Sequence, residues 1–353
     1  MSLRSQTSTE GSMLLPARTS TVILGRQDYV FVLLRLISME LYKMRRRVMS
    51  KVLGSVAIAI PILVFLLVSL STFFVLNAPA NSFAPPCQSP GGPPPSGTSP
   101  NCPTLSAAEL AQARQSALRS ISEPLRLPSS LNISVQFALS AGTILIILLI
   151  GAITGGEFSI GTVRLIYTRG PTRTQFLLAK VGAAIVCIAF GILAMSIIGV
   201  LTGQALNPLS SIPQDFGFLS AGWVGQTILY LLIAMLDWFM YAAIAIFFGI
   251  LGRSTVAGIV GALTWFFVEP IVGGVLKLAG NFSPGPFGDF LKAVPDYFIG
   301  TNIGALLQNQ EQYIFGGSGS SLSDFHALIV LAIYLIVLVG LAWRINKRRD
   351  VTN

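Results

Sequence analysis

Residues 52–76 read VLGSVAIAIPILVFLLVSLSTFFVL, 25 residues without one charged side chain. At 1.5 Å rise per residue, a helix of this length crosses the roughly 30 Å hydrocarbon core of a bilayer with about a turn to spare. A helix also satisfies its own backbone N–H and C=O groups, which nothing in hydrocarbon would do for it. Five further runs pass the same test, at 135–154, 177–201, 226–251, 255–276 and 326–343. Composition agrees: 53% of the 353 residues are hydrophobic, only 10% are charged, and mean hydropathy is +0.73. A soluble domain carries about a quarter charged residues, so these few could not clothe a surface in water. The expected fold class is all-α, a polytopic membrane protein with six transmembrane helices.

The net charge of +9 would suggest nucleic acid in a soluble protein. Sorted along the six runs, however, 18 of the 23 Lys and Arg residues fall on the side that holds both ends of the chain. Cytoplasmic segments of membrane proteins collect such cations, so both termini are expected in the cytoplasm and no nucleic acid is needed.

The segments between the runs differ in kind. Residues 1–27 are Ser/Thr-rich and expected as a flexible cytoplasmic tail. In 28–47, Val30, Leu33, Leu34, Ile37, Leu41 and Met44 recur on one helical face. Arg35, Ser38, Lys43, Arg45 and Arg46 lie on or beside the other, the pattern of a helix in the membrane interface near anionic lipids. Residues 77–134 form an external loop containing PPCQSPGGPPPSGTSPNCP, followed by a short amphipathic helix at 105–122 that Ser106 and Glu109 would open as a capping box. Cys87 and Cys102 flank the Pro/Gly tract on the oxidising side; a disulfide and two free thiols both fit. Residues 277–325 form a second long external loop, with Gly/Pro/Ser clusters.

Catalytic signatures are missing. No G-x-x-x-x-G-K-[ST] phosphate loop and no G-x-S-x-G elbow occurs, and the single His326 has no Cys or His at ligand spacing. The chain is expected to be no enzyme and to hold no cofactor and no metal.

Two features remain. Residues 155–180, GGEFSIGTVRLIYTRGPTRTQFLLAK, join the second and third runs. Residues 157–167 read as a short helix across the end of the second run, Gly170-Pro171 as a turn, and Thr172 as the cap of the next helix. Positive-inside charge alone would account for the basic residues. The second feature is a pair of acids within the runs, Asp237 in AMLDWFMYA and Glu269 before Pro270 in WFFVEPIVGG. A charge at that depth costs on the order of 2.5–3.5 kcal/mol, so each needs a partner or a wet cavity. A translocation or proton site and a structural acid held by hydroxyls or amides both answer that need.

Gly156-Glu157, Gly161-Thr162, Arg164, Thr168-Arg169, Arg173 and Leu178-Ala179-Lys180 resemble the first cytoplasmic loop of ABC-2-type ABC transporter permeases. Members of that family show an acid, then Gly-Thr-x-Arg, Ser/Thr-Arg, a further Arg, and a Lys entering the third span. The tail Lys347-Arg348-Arg349-Asp350-Val351 is similar too. The resemblance implies that 28–353 is one transmembrane domain of ABC-2-type exporter architecture. It also implies that 157–167 is a coupling helix within a coupling loop at 155–176, and that Glu157, Gly161, Thr162, Arg164, Tyr167, Arg169, Arg173 and Lys180 engage a separate ATP-binding subunit. ATP and magnesium would sit on that partner, a second permease subunit (in a homodimer or a heterodimer) would complete the pathway, and membrane lipids would surround it. A break in the fifth helix near the outer leaflet would hold Glu269 and Pro270. A bacterial plasma membrane is the expected location. The alternative is an ATP-independent transporter or channel built on Asp237 and Glu269.

Overall fold

The structure, a computed structural model, describes residues 26–79, 82, 106–159, 171–210 and 213–348. Every regular element among the described residues is helical. α1 (Arg26–Arg46) and α2 (Val48–Asn77) are separated by Arg47, whose extended backbone ends one helix and begins the next. α3 (Ala107–Ser122) follows, then α4 (Ser129–Ser159), α5 (Arg173–Leu206), α6 (Ala221–Gly252) and α7 (Thr255–Phe282). Two shorter helices, α8 (Pro286–Ala293) and α9 (Ile299–Ile314), precede α10 (Asp324–Arg348). Six of these, α2, α4, α5, α6, α7 and α10, are long and apolar enough to cross a membrane. The chain is a multi-pass membrane protein, and each of the six apolar runs lies inside one of these helices.

The helices extend beyond their apolar runs at one or both ends, and polar side chains open α5, α6 and α7. Thr172 Oγ1 accepts the Gln175 N–H at 3.2 Å, and Gln175 Oε1 accepts the Thr172 N–H at 2.9 Å, so α5 opens on a reciprocal box. Ser220 and Ser254 cap α6 and α7 in the simpler way, through the N–H groups of Trp223 and Ala257. α3 opens on the expected box between Ser106 and Glu109.

α4, α6 and α7 pack against one another at the centre, and α5 lies across α1 and α2. Lipid is as apolar as a leucine side chain, so this packing relies on close backbone approach. A Cβ at Gly155 would overlap the Ser254 carbonyl, which fixes the α4–α7 crossing. A π-helical turn at Ala138–Gly142 interrupts α4, and the Trp238 indole fits beside Gly142 and Gly191, donating to the Ala138 carbonyl at 2.9 Å.

Three expectations are refined by the structure. The stretch 277–325 is largely helical: α7 continues to Phe282, and α8 and α9 follow. α9 buries Ile299, Ile303, Leu306, Leu307 and Ile314, a stripe at helical spacing diluted to the eye by Gly, Asn and Gln. α7 also passes unbroken through Pro270, and the chain reverses after Phe282, where Gly285 takes a positive φ of 80°. The expected helix at 157–167 does not begin at Glu157, which belongs to the last turn of α4. Residues 160–170 lie outside the described residues.

Candidate functional site

Three helices converge where α1 meets the bundle, and each contributes charge. From α1 come Glu40 and Lys43, from the last turn of α4 Glu157, and from the second turn of α5 Lys180. Lys43 Nζ lies 2.9 Å from both Glu40 Oε1 and Glu157 Oε1. Lys180 Nζ lies 2.7 Å from Glu157 Oε2 and 3.6 Å from Glu40 Oε2. Among the described residues, two acids and two bases thus form a ring of zero net charge.

Its members differ in exposure: the Lys180 side chain is 2% exposed and that of Lys43 33%. Desolvating an ammonium group as fully as at Lys180 is costly unless countercharge and polar atoms surround it. Here two carboxylates do so, with the Ile153 carbonyl at 3.5 Å and the Phe176 ring at 4.8 Å. At Lys43, burial opposes the charge, but the hydrogen bond to Glu40 and the field of Glu157 outweigh it and hold the pKa above its usual 10.5.

A second set of contacts secures the other side of this end. Arg173 Nη1 donates to the Lys347 carbonyl at 3.0 Å, and Asn346 Nδ2 donates back to the Arg173 carbonyl at 3.0 Å. Trp343 Nε1 donates to Thr174 Oγ1 at 3.2 Å. α4 therefore ends beside the ring, and α5 opens on a cap whose neighbours Arg173 and Thr174 are tied to α10. Of the candidate coupling residues, Glu157 and Lys180 come together in the ring and Arg173 joins α10. Gly161, Thr162, Arg164, Tyr167 and Arg169 lie outside the described residues, as do Cys87 and Cys102.

Glu157, which the resemblance assigns to a coupling helix, is buried in the last turn of α4 and paired with both lysines. Glu40 was missed altogether. Its signal was present: it sits three residues after Ile37 and four before Met44, one acid on an otherwise apolar stripe, and such an acid needs a cation on the facing helix.

Asp237 and Glu269 occupy a different setting. Asp237 is buried on α6 with Oδ2 2.8 Å from Thr143 Oγ1, which also lies 2.7 Å from the Leu139 carbonyl. The single hydroxyl proton serves one of these acceptors at a time. Glu269, on α7, accepts from the Trp265 indole N–H at 2.5 Å and from the Gly300 N–H at 2.6 Å, the latter in the first turn of α9. Tyr241, one turn after Asp237 on α6, brings its hydroxyl to the same side of Gly300 as the Glu269 carboxylate. Neither acid makes an ion pair among the described residues.

No group of three or more His, Cys, Asp or Glu among the described residues could hold a metal ion. No curated protein matches the chain. The model of one family, described as "Protein of unknown function (DUF2705)", matches residues 125–352, from just before α4 to beyond α10. Glu157, Lys180, Asp237 and Glu269 fall within that stretch, and Glu40 and Lys43 before it. The match covers well over half of the sequence, and the chain belongs to this family.

Proposed function

We propose that this chain is the membrane-spanning permease subunit of an ABC-2-type ATP-binding cassette exporter. A separate ATPase subunit carries ATP and magnesium and performs the hydrolysis, and a second permease subunit completes the pathway. In this reading the basic end of the bundle faces the cytoplasm of a bacterial cell, in line with the positive-inside distribution of Lys and Arg. The coupling segment is 160–170, with Arg164, Tyr167 and Arg169 as its contacts to the ATPase.

One observation carries the proposal beyond the sequence motif. The segment springs from a closed ion ring that ties α1, α4 and α5 together. A push on the segment is therefore delivered to three helices as a unit. A ligand-driven device needs such a stiff joint, because a soft one would dissipate the differential contact between its two states.

The test is co-purification followed by charge reversal. A tagged chain is expected to retain a soluble partner that binds ATP, and Arg164→Glu with Arg169→Glu is expected to abolish that retention while membrane insertion persists. Undiminished retention in the double variant would overturn the assignment. The alternative, an ATP-independent transporter using Asp237 and Glu269, draws on the absence of a cationic partner for either acid among the described residues. It expects substrate flux in proteoliposomes holding this chain alone.

A further inference from the structure

We propose that the cleft beside Glu269 binds a protonated amine carried on an apolar body. The cleft has a volume of about 460 Å³ and lies between α7, the start of α9 and the turn before it, with Tyr241 of α6 in its wall. That volume lies in the range of small-molecule sites, which pair apolar walls with a few fixed polar groups. Its polar anchor is Glu269, 9% exposed, whose two oxygens each accept one hydrogen bond, from Trp265 and from Gly300. A carboxylate offers about four lone-pair sites, so acceptor capacity remains on the cleft side.

The chemistry of the occupant follows from what surrounds this charge. No cation among the described residues pairs with Glu269, so an anion would be repelled and a neutral ligand would leave the carboxylate's charge unmatched. The two groups that share the carboxylate are N–H donors, which cannot ligate a metal ion, and no other carboxylate lines the cleft. Tyr241, Phe266 and Phe267 line it instead, and aromatic faces attract organic cations. Gly273 and Gly274 leave room for the apolar body; a Cβ at Gly274 would meet nothing within 4 Å. Lys277 stands eight residues farther along α7, about 12 Å from the level of Glu269 at helical rise, and so bounds the site at its far end.

This site stands apart from the exporter reading, because binding needs neither ATP nor a partner. The full chain in phosphatidylcholine nanodiscs would be titrated calorimetrically with 1-aminoadamantane and with its uncharged analogue 1-adamantanol. The amine is expected to bind at least about tenfold more tightly than the alcohol, as a charge-assisted contact requires. Glu269→Gln should bring the amine's affinity down to the level of the alcohol's, and Gly274→Leu should weaken both ligands by filling the cleft. Equal affinities for the two ligands in the wild-type chain would overturn the proposal. So would amine affinity that survives Gly274→Leu, a variant that keeps Glu269 and decides the matter even if Glu269→Gln fails to fold.

Discussion

Glu40 and Glu157 are buried where α1, α4 and α5 meet, and Asp237 and Glu269 are buried farther along α6 and α7. All four are carboxylates taken out of water, yet their surroundings answer the charge differently. The first pair faces two ammonium groups in a ring of zero net charge. The second pair faces a hydroxyl, an indole and a backbone amide, dipoles that stabilise a negative charge without cancelling it. A cancelled charge makes a joint, because removing any member leaves a naked ion behind. A charge held only by dipoles keeps an appetite for a proton or a cation. The bundle thus has a stiff end and a responsive interior.

The sharpest way to break this comparison is to remove the most deeply buried base. Lys180→Met leaves two carboxylates to share Lys43, and is expected to cost about 3–5 kcal/mol in reversible unfolding from micelles. The double variant Lys180→Met with Glu157→Gln restores neutrality around Glu40 and Lys43, so it should be more stable than Lys180→Met alone. A double-mutant cycle measures the coupling directly. A single-variant cost under about 1 kcal/mol would mean that the ring is not closed against solvent.

The interior acids should respond more mildly. In Glu269→Gln the amide keeps one acceptor oxygen but turns an NH2 group toward a former donor, either Trp265 or Gly300. The expected loss is about 1–2 kcal/mol, read by the same unfolding measurement. Asp237→Asn is milder still, since either face of the amide can complement the Thr143 hydroxyl, and less than about 1 kcal/mol is expected. A loss at Asp237 as large as that of Lys180→Met would move this acid into the charge-cancelled class and erase the distinction between the two regions.

These contrasts bear on what could be read in the sequence. The six crossing helices were legible because 20 or more apolar residues in a row have one structural solution in a membrane. The caps at Ser106 and Thr172 were legible for the same local reason: Glu109 and Gln175 stand three residues on. What escaped was non-local. Lys180 looked like one more cytoplasmic cation, and only the approach of α1 across α5 turns it into the core of a ring. Glu40 could have been suspected from its place on an apolar stripe beside Lys43, but its second, buried partner Lys180 lies 140 residues away. α9 was hidden by its polar half: Asn302 and Gln310 are buried among the isoleucines and leucines, so the stripe looked interrupted. The cleft at Glu269 needed the reversal after Phe282 that brings Gly300 back alongside α7.

Within the ring itself the two lysines offer the finest test. Lys43 is a third exposed and Lys180 scarcely at all, so water and its ions should reach only the first. The Lys43 pKa is higher in the folded chain than its ordinary 10.5. Its contribution is therefore fully present below the unfolded value and is lost as pH rises through the folded one. As pH rises past the ordinary lysine value of 10.5, the wild-type chain should lose more unfolding free energy than Lys43→Met, by a modest amount because solvent screens a partly exposed pair. Raising the salt to about 0.5 M should shrink the Lys43 difference, since the screening length falls to a few ångströms. The cost of Lys180→Met should stay put, because ions cannot enter the space between Lys180 and Glu157. Equal salt sensitivity at the two lysines would show that the ring is wet throughout, and a wet ring would lose its claim to be the stiff end of the bundle.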